Sequence, residues 1–270
     1  MSNRLRTVFA MLAVLAAGCG DSGGAPTGAA ASNSTRPIPG EVEPEGEVLV
    51  FAAASLTDAF AELADAFEEE NPKASVTFNF GPSSGLASSI NEGAPADVFA
   101  SANQTQMDNV TEAGATAGES RAFARNVLEI AIPPDNPGEV EGLGDFAQDD
   151  LLIGLCAVDV PCGDFGRQVL ERAGVTPAVD TNETNVRALL TKVELGELDA
   201  GLVYRTDVRS AGDAVTGIEI PEVDNVVATY PIAAVAEAPN PEAADAFVAF
   251  VHSDEGQAVL ESFGFLRTAA

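Results

Sequence analysis

The stretch Val48-Leu49-Val50-Phe51-Ala52-Ala53-Ala54-Ser55-Leu56-Thr57 decides how this chain is read. Val48 to Ala52 is a short apolar run with the β-branched character of a buried strand. The run stops at small residues. Phe60, Leu63, Ala64 and Phe67 then recur at helical spacing, with Asp58, Glu62, Asp65 and Glu68 between them. Ser55 therefore stands where the carboxyl end of a strand turns into the first turn of a helix. Free backbone N–H groups gather there, beside the positive end of the helix dipole, and a site of that kind holds an anion. Ser55 or Thr57 also fits the simpler role of helix N-cap, and this stretch taken alone favours the cap.

The rest of the chain sets the scale. Its 270 residues, 46% of them hydrophobic, suffice for one large domain or two lobes. With 42 acidic residues against 13 basic ones the formal charge is −29. That balance argues against nucleic acid or an anionic membrane surface as a partner, since both require basic surface. Long-range attraction does not recruit an anion here, so an anion site must work through local dipoles. The chain has no Trp and 2 Tyr, which makes each tyrosine a place to look.

Residues 1 to about 18 read as an export signal. Arg4 and Arg6 give a basic start, and Val8 to Ala17 is apolar but too short to span a bilayer. The run ends in Leu15-Ala16-Ala17-Gly18-Cys19, which resembles the lipobox of bacterial lipoproteins, with Leu15 one place further from Cys19 than usual. That resemblance implies a lipid on Cys19. The other reading is an ordinary secreted protein with a stray cysteine. Residues 19–47, rich in Gly, Ala, Ser, Pro and Glu, lack apolar periodicity and read as a flexible tether.

Beyond Val48 the patterns alternate. Strands are expected at Ala74 to Phe80, Asp97 to Ala100, Val127 to Ile132, Leu151 to Leu155, Ala200 to Tyr204, Val226 to Thr229 and Ile232 to Ala236. Gly81 to Gly85 reads as a turn before a helix through Leu86 and Ile90, and Cys156 to Gly163 as a loop. Further helices are expected at Gln104 to Ala113, Asp164 to Ala173, Val186 to Leu195, Pro241 to Val251 and Asp254 to Phe263. Strands alternating with helices indicate α/β architecture with mostly parallel sheets, whose ligands bind beyond the strands' carboxyl ends.

Several of these stretches together resemble the molybdate-binding proteins of bacterial ABC importers. They are Val50-Phe51-Ala52-Ala53-Ala54-Ser55-Leu56, Gly93-Ala94-Pro95-Ala96-Asp97-Val98-Phe99, Val160-Pro161-Cys162-Gly163, Val186-Arg187-Ala188-Leu189, Gly201-Leu202-Val203-Tyr204 and Tyr230-Pro231-Ile232-Ala233. Phe263-Gly264-Phe265 also fits, and the order matches from about Val48 to Leu266. The resemblance implies a two-lobed periplasmic-binding-protein fold of type II, each lobe a mostly parallel sheet flanked by helices. Lobe one is expected at 48–123 plus 231–270 and lobe two at 124–230, with crossings near Arg121 to Asn126 and Ala228 to Pro231.

It also implies the ligand set. Ser55 and Ser83 offer hydroxyl and backbone N–H groups, Cys162 and Val186 offer backbone N–H groups, and Tyr204 offers its phenol. Ser84 competes with Ser83, which keeps the family's spacing to Leu86. No cofactor is implied, and metal enters only as molybdenum within the bound oxyanion. The expected partners are molybdate or tungstate, an ABC permease and, through Cys19, the outer face of the cytoplasmic membrane. The protein is expected to be monomeric and not an enzyme.

The chemistry of the ion agrees with such donors. Molybdate near neutral pH is a dianion with acceptors only, and each hydrogen bond to it contributes roughly 1.5–3 kcal/mol. About half a dozen give micromolar affinity or better. Phosphate keeps a proton that wants an acceptor, so a cavity without carboxylate selects against it. Sulfate differs only in size and stands as the alternative ligand. A secreted serine hydrolase using Ser55 is the alternative of another class. His252, the only histidine, belongs to a late helix and reads as a packing or surface residue. No His/Cys/Asp cluster has metal-ligand spacing. Asp58 and Asp97 read as caps or loop orienters, and Arg187 as part of a solvated helix face. Cys156 and Cys162, six residues apart in an exported protein, are expected to form a disulfide; two buried thiols are the other possibility.

Overall fold

The computed structural model describes residues 43–268. The signal segment, Cys19 and most of the tether lie outside the described residues. The chain folds as a mixed nine-stranded sheet covered by helices.

Strand β1 (Gly46–Ala53) starts two residues before the expected edge of the folded part. Asn240 holds that start, donating to the carbonyls of Glu45 and Glu47. β1 pairs in parallel with β2 (Ala74–Gly81) and β3 (Val98–Ala100). Both faces of β1 are covered. Val48, Val50 and Ala52 join the main core, and Phe51 joins a second cluster with Leu86, Ile90 and Phe99. This explains why the run is continuously apolar.

Helix α1 (Thr57–Glu70) buries Phe60, Leu63, Ala64 and Phe67. Phe60 and Phe67 meet the ring of Phe247 at 6.1 and 5.4 Å, which ties α1 to helix α7 (Pro241–Val251). Truncating a ring of this kind to Ala costs about 3–5 kcal/mol. The other face carries α2 (Ser83–Asn91) and α3 (Gln104–Glu112).

A second half-sheet is built from β5 (Ile153–Cys156), β6 (Thr181–Glu183), β7 (Ala200–Tyr204) and β8 (Thr216–Glu219). Helices α4 (Pro161–Arg172), α5 (Val186–Glu194) and α6 (Arg205–Ala211) belong to it. β5 pairs in parallel with β6 and β7. The short polar β6 and β8 carry no run of apolar residues and were not anticipated from sequence.

Two long strands join the halves. β4 runs from Arg121 to Ile132, well beyond the expected Val127 to Ile132. β9 (Val227–Ala234) continues through Tyr230-Pro231, where two separate strands were expected. Pro231 sits opposite Ala122, where the register shifts, so its missing N–H breaks no regular ladder. The expected crossings thus form an antiparallel ribbon, Arg121–Val127 against Val227–Ile232. β4 then pairs with β7 and β8, and β9 pairs with β3. α8 (Asp254–Ser262) closes the described chain.

Candidate functional site

The carboxyl ends of strands from both halves meet over one small cavity of about 20 Å³. Sites for drug-sized ligands run to roughly 300–1,000 Å³, so this cavity suits a small ion. Ser55, Ser83, Cys162, Val186 and Tyr204 all line it, and no charged side chain does. Ser84 does not line it, because the helix begins at Ser83 and the next side chain turns away from the cavity.

The helix starts around the cavity are of two kinds. α5 is capped by Asn185, whose Oδ1 accepts the Ala188 N–H at 3.0 Å, as Asn103, Asn240 and Ser253 cap α3, α7 and α8. At the cavity α1, α2 and α4 have no side-chain cap. The capping reading of Ser55 and Thr57 is therefore corrected. Thr57 donates its hydroxyl to the carbonyl of Ala54 at 2.7 Å, and a 3-10 turn, Ala54–Leu56, stands before α1. Ser83 and Cys162 lie inside first helical turns, where a turn and a loop were expected. Pro82 and Pro161 start those turns, the latter at a position where a missing N–H is harmless. The first-turn N–H groups of Ser83, Cys162 and Val186 find no backbone acceptor among the described residues.

The side chains add donors. Ser83 Oγ accepts from the N–H of Ala102 at 3.1 Å, which leaves its proton free to donate. Ser55 Oγ lies 3.0 Å from the hydroxyl of Tyr230. The Tyr204 hydroxyl is buried and has no hydrogen-bond partner. Burial pushes that phenol well above its ordinary pKa, so it stays protonated and able to donate. The rings of Tyr204 and Tyr230 pack edge to face at 5.9 Å. Tyr230 belongs to the site as the support of Ser55. Sequence reasoning quoted it without a role, and its signal was the scarcity of tyrosine.

The loop carrying Cys162 is braced. Cys156 and Cys162 are disulfide-bonded, with Cα atoms 5.7 Å apart. Arg167 donates to the carbonyls of Cys156 and Gly163 and to Asn182 Oδ1. A Cβ on Gly163 would fall 1.8 Å from the carbonyl oxygen of Ala157, so only glycine lets the helix seat so closely.

Three readings of charged residues meet the structure. Asp97 orients loops as expected, accepting from the N–H groups of Leu49 and Asn240. Asp58 is neither cap nor loop orienter: its carboxylate takes a hydrogen bond from Arg187 Nη2 at 2.6 Å. Arg187 is not a solvated helix residue either. Its Nε stands 3.2 Å from the fully buried Asp207, close enough for an ion pair but not aligned for a hydrogen bond. His252 ends α7, and burial lowers its pKa.

Comparison with known proteins follows the same lines. Residues 48–266 match the family described as bacterial extracellular solute-binding protein. The molybdate-binding protein ModA of Mycobacterium tuberculosis is 38% identical over 240 residues, which is 88% of this chain and 92% of that protein. The periplasmic molybdate-binding protein of Azotobacter vinelandii shares the fold at a TM-score of 0.74, with 19% identity over 82% of this chain and 100% of that one. The sulfate-binding protein SubI of M. tuberculosis also scores 0.74, at 16% identity over 82% of this chain and 87% of that one. The fold is thus common to binders of different oxyanions, whereas the sequence runs with the molybdate-binding relative. The chain belongs to the bacterial extracellular solute-binding protein family, beside the molybdate-binding protein of M. tuberculosis.

Proposed function

We propose that this protein is the extracytoplasmic receptor of a molybdate importer, capturing molybdate, and tungstate with it, for delivery to an ABC permease. What carries the reading is the concentration of free donors at one uncharged cavity. Three helix starts without side-chain caps, those of α1, α2 and α4, gather there, Ser83 has its oxygen already engaged by the Ala102 N–H, Ser55 adds a second hydroxyl, and the Tyr204 phenol is buried without a partner. A dianion with only acceptors answers all of these groups at once. The five ligand groups are those of Ser55, Ser83, Cys162, Val186 and Tyr204. The two half-sheets act as lobes, residues 48–123 with 231–270 and residues 124–230, that close about the β4–β9 ribbon.

Sulfate is the second reading, because a receptor for it shares the fold. Ser55 meets a phenol rather than an imidazole, which leaves the hydrolase alternative without a base. Calorimetric titration with molybdate, tungstate, sulfate and phosphate tests the ligand. Tight binding of the first two with weak or no binding of the others is expected. Sulfate binding as tight as molybdate would replace the reading with its alternative. Anchoring rests on Cys19: in cells, Cys19→Ala should move the protein from membranes to the soluble fraction.

A further inference from the structure

Arg187 makes an arrangement that the anion site alone does not require. It follows Val186 in the first turn of α5 and does not line the cavity. Its guanidinium lies between two carboxylates from opposite halves of the sheet. Asp58 comes from α1, three residues after Ser55, and is bonded at 2.6 Å. Asp207 comes from α6, three residues after Tyr204, and stands 3.2 Å from Nε. Asp207 is itself fixed to the Tyr204 segment, since its Oδ2 accepts the Tyr204 N–H at 3.1 Å. One side chain therefore joins the segments that carry Ser55, Val186 and Tyr204.

The two links are not equivalent. Asp207 is wholly buried and sits in the same half as Arg187, so that pair exists whether the halves are together or apart. The Asp58 link crosses between the halves and exists only when they are together. Both of its side chains are partly exposed, 26% and 42%, so either group is well solvated once separated.

We propose that Arg187 is a positioning residue, a clasp held ready by Asp207 that closes on Asp58 and keeps the two halves shut over the bound anion. An interaction present only in the closed state slows opening and therefore release. Capture is made from the open form, where the clasp is undone, and is little affected. The anion is never touched by the guanidinium, so the clasp alters residence time without altering which ion is chosen. This inference rests on the proposed function for its ligand, not for its geometry.

The test uses Asp58→Asn in the full chain, which removes the cross-half charge and leaves the buried Arg187–Asp207 pair intact. Protein loaded with labelled molybdate is chased with unlabelled molybdate, and filter retention is followed over time. Release should quicken about two- to fivefold, as expected for a partly exposed ion pair, with the capture rate little changed. Asp58→Glu should restore slow release. Raising salt should quicken release from the wild type toward that of the variant, because screening undoes the same pair. Unchanged release in Asp58→Asn, or quickened release that neither salt nor Asp58→Glu modulates, would overturn the clasp. A wild type that retains no molybdate would instead sink the ligand reading. Small-angle scattering then checks that the clasp forms only on closure: equal radii of gyration for the two unliganded proteins, each larger than that of the loaded wild type, support it, and an unliganded Asp58→Asn larger than the unliganded wild type overturns it.

Discussion

At the scale of single residues, the proposed site asks the same job of Ser55 and Tyr204 by different means. Ser55 is a small hydroxyl whose partner, Tyr230, already occupies one side of its oxygen. Tyr204 is a long side chain whose phenol has no partner at all. On the proposed ligand set, removing either donor takes a hydrogen bond from a dianion. Ser55→Ala and Tyr204→Phe should each weaken molybdate binding by roughly 1.5–3 kcal/mol, about ten- to a hundredfold. Calorimetric Kd values check this, and a variant within twofold of wild type would remove that residue from the ligand set. Tyr230→Phe should weaken binding less, since the Ser55 hydroxyl stays and loses only its support. That the five residues line one cavity was legible through the family resemblance, which named them together, while the residue pattern alone marked only strand ends and helix starts. Tyr230 and Asp207 were not assigned. They act through Ser55, Tyr204 and Arg187 across separations such as the 175 residues between Ser55 and Tyr230, which no local pattern records.

At the scale of elements, the first turn of α4 shows how a backbone donor is held in place. The disulfide spans a short loop, so its stabilising effect on the chain is only about 2 kcal/mol. In the proposed site its larger effect is to keep the Cys162 N–H aimed before the anion arrives. Cys156→Ser with Cys162→Ser should lower stability by about that amount in denaturant titration and weaken molybdate binding a few-fold. Equal affinity in the double variant would show that Arg167 alone suffices as a brace. Gly163→Ala should be far more disruptive, because the new Cβ meets backbone rather than a side chain that can turn aside. Its expected result is loss of both cooperative unfolding and binding. The buried strands β1 and β7 and the helices with clear apolar faces were legible by periodicity. The start of α4 was not: Pro161, Cys162 and Gly163 are loop residues by type, and the disulfide and Arg167 override that preference. β4 was read too short because Arg121, Arg125 and the buried Asn126 interrupt the apolar pattern of its first half, and its pairing with β9 rather than its composition makes it a strand.

For the molecule as a whole, charge sets the limits of behaviour. Asp207 is buried under Arg187 from α5, Asp58 from α1 and the phenols of Tyr204 and Tyr230. Burial raises its pKa to about 7 in spite of the Arg187 charge and the Tyr204 N–H. A carboxyl with its folded pKa above its unfolded value stabilises the fold fully below about pH 4, and that contribution is lost as pH rises through about 7. Asp207→Asn should therefore flatten the pH dependence of the thermal midpoint between about pH 4 and pH 7 relative to wild type. Parallel curves for the two proteins would show that Asp207 does not titrate in that window. The two-half architecture was legible from the alternation of strands and helices together with the resemblance, whereas the link between the halves through Arg187 was not, since a cation in a helix's first turn carries no sign of the carboxylate it will meet. Another whole-chain property follows from the tyrosines. Tyr204 lines the cavity, Tyr230 packs against its ring, and the chain has no tryptophan. Excited at wavelengths that phenylalanine does not absorb, the protein therefore emits from these two rings alone, so an ion arriving at the proposed site is expected to report its own occupancy as a change in light, without a label.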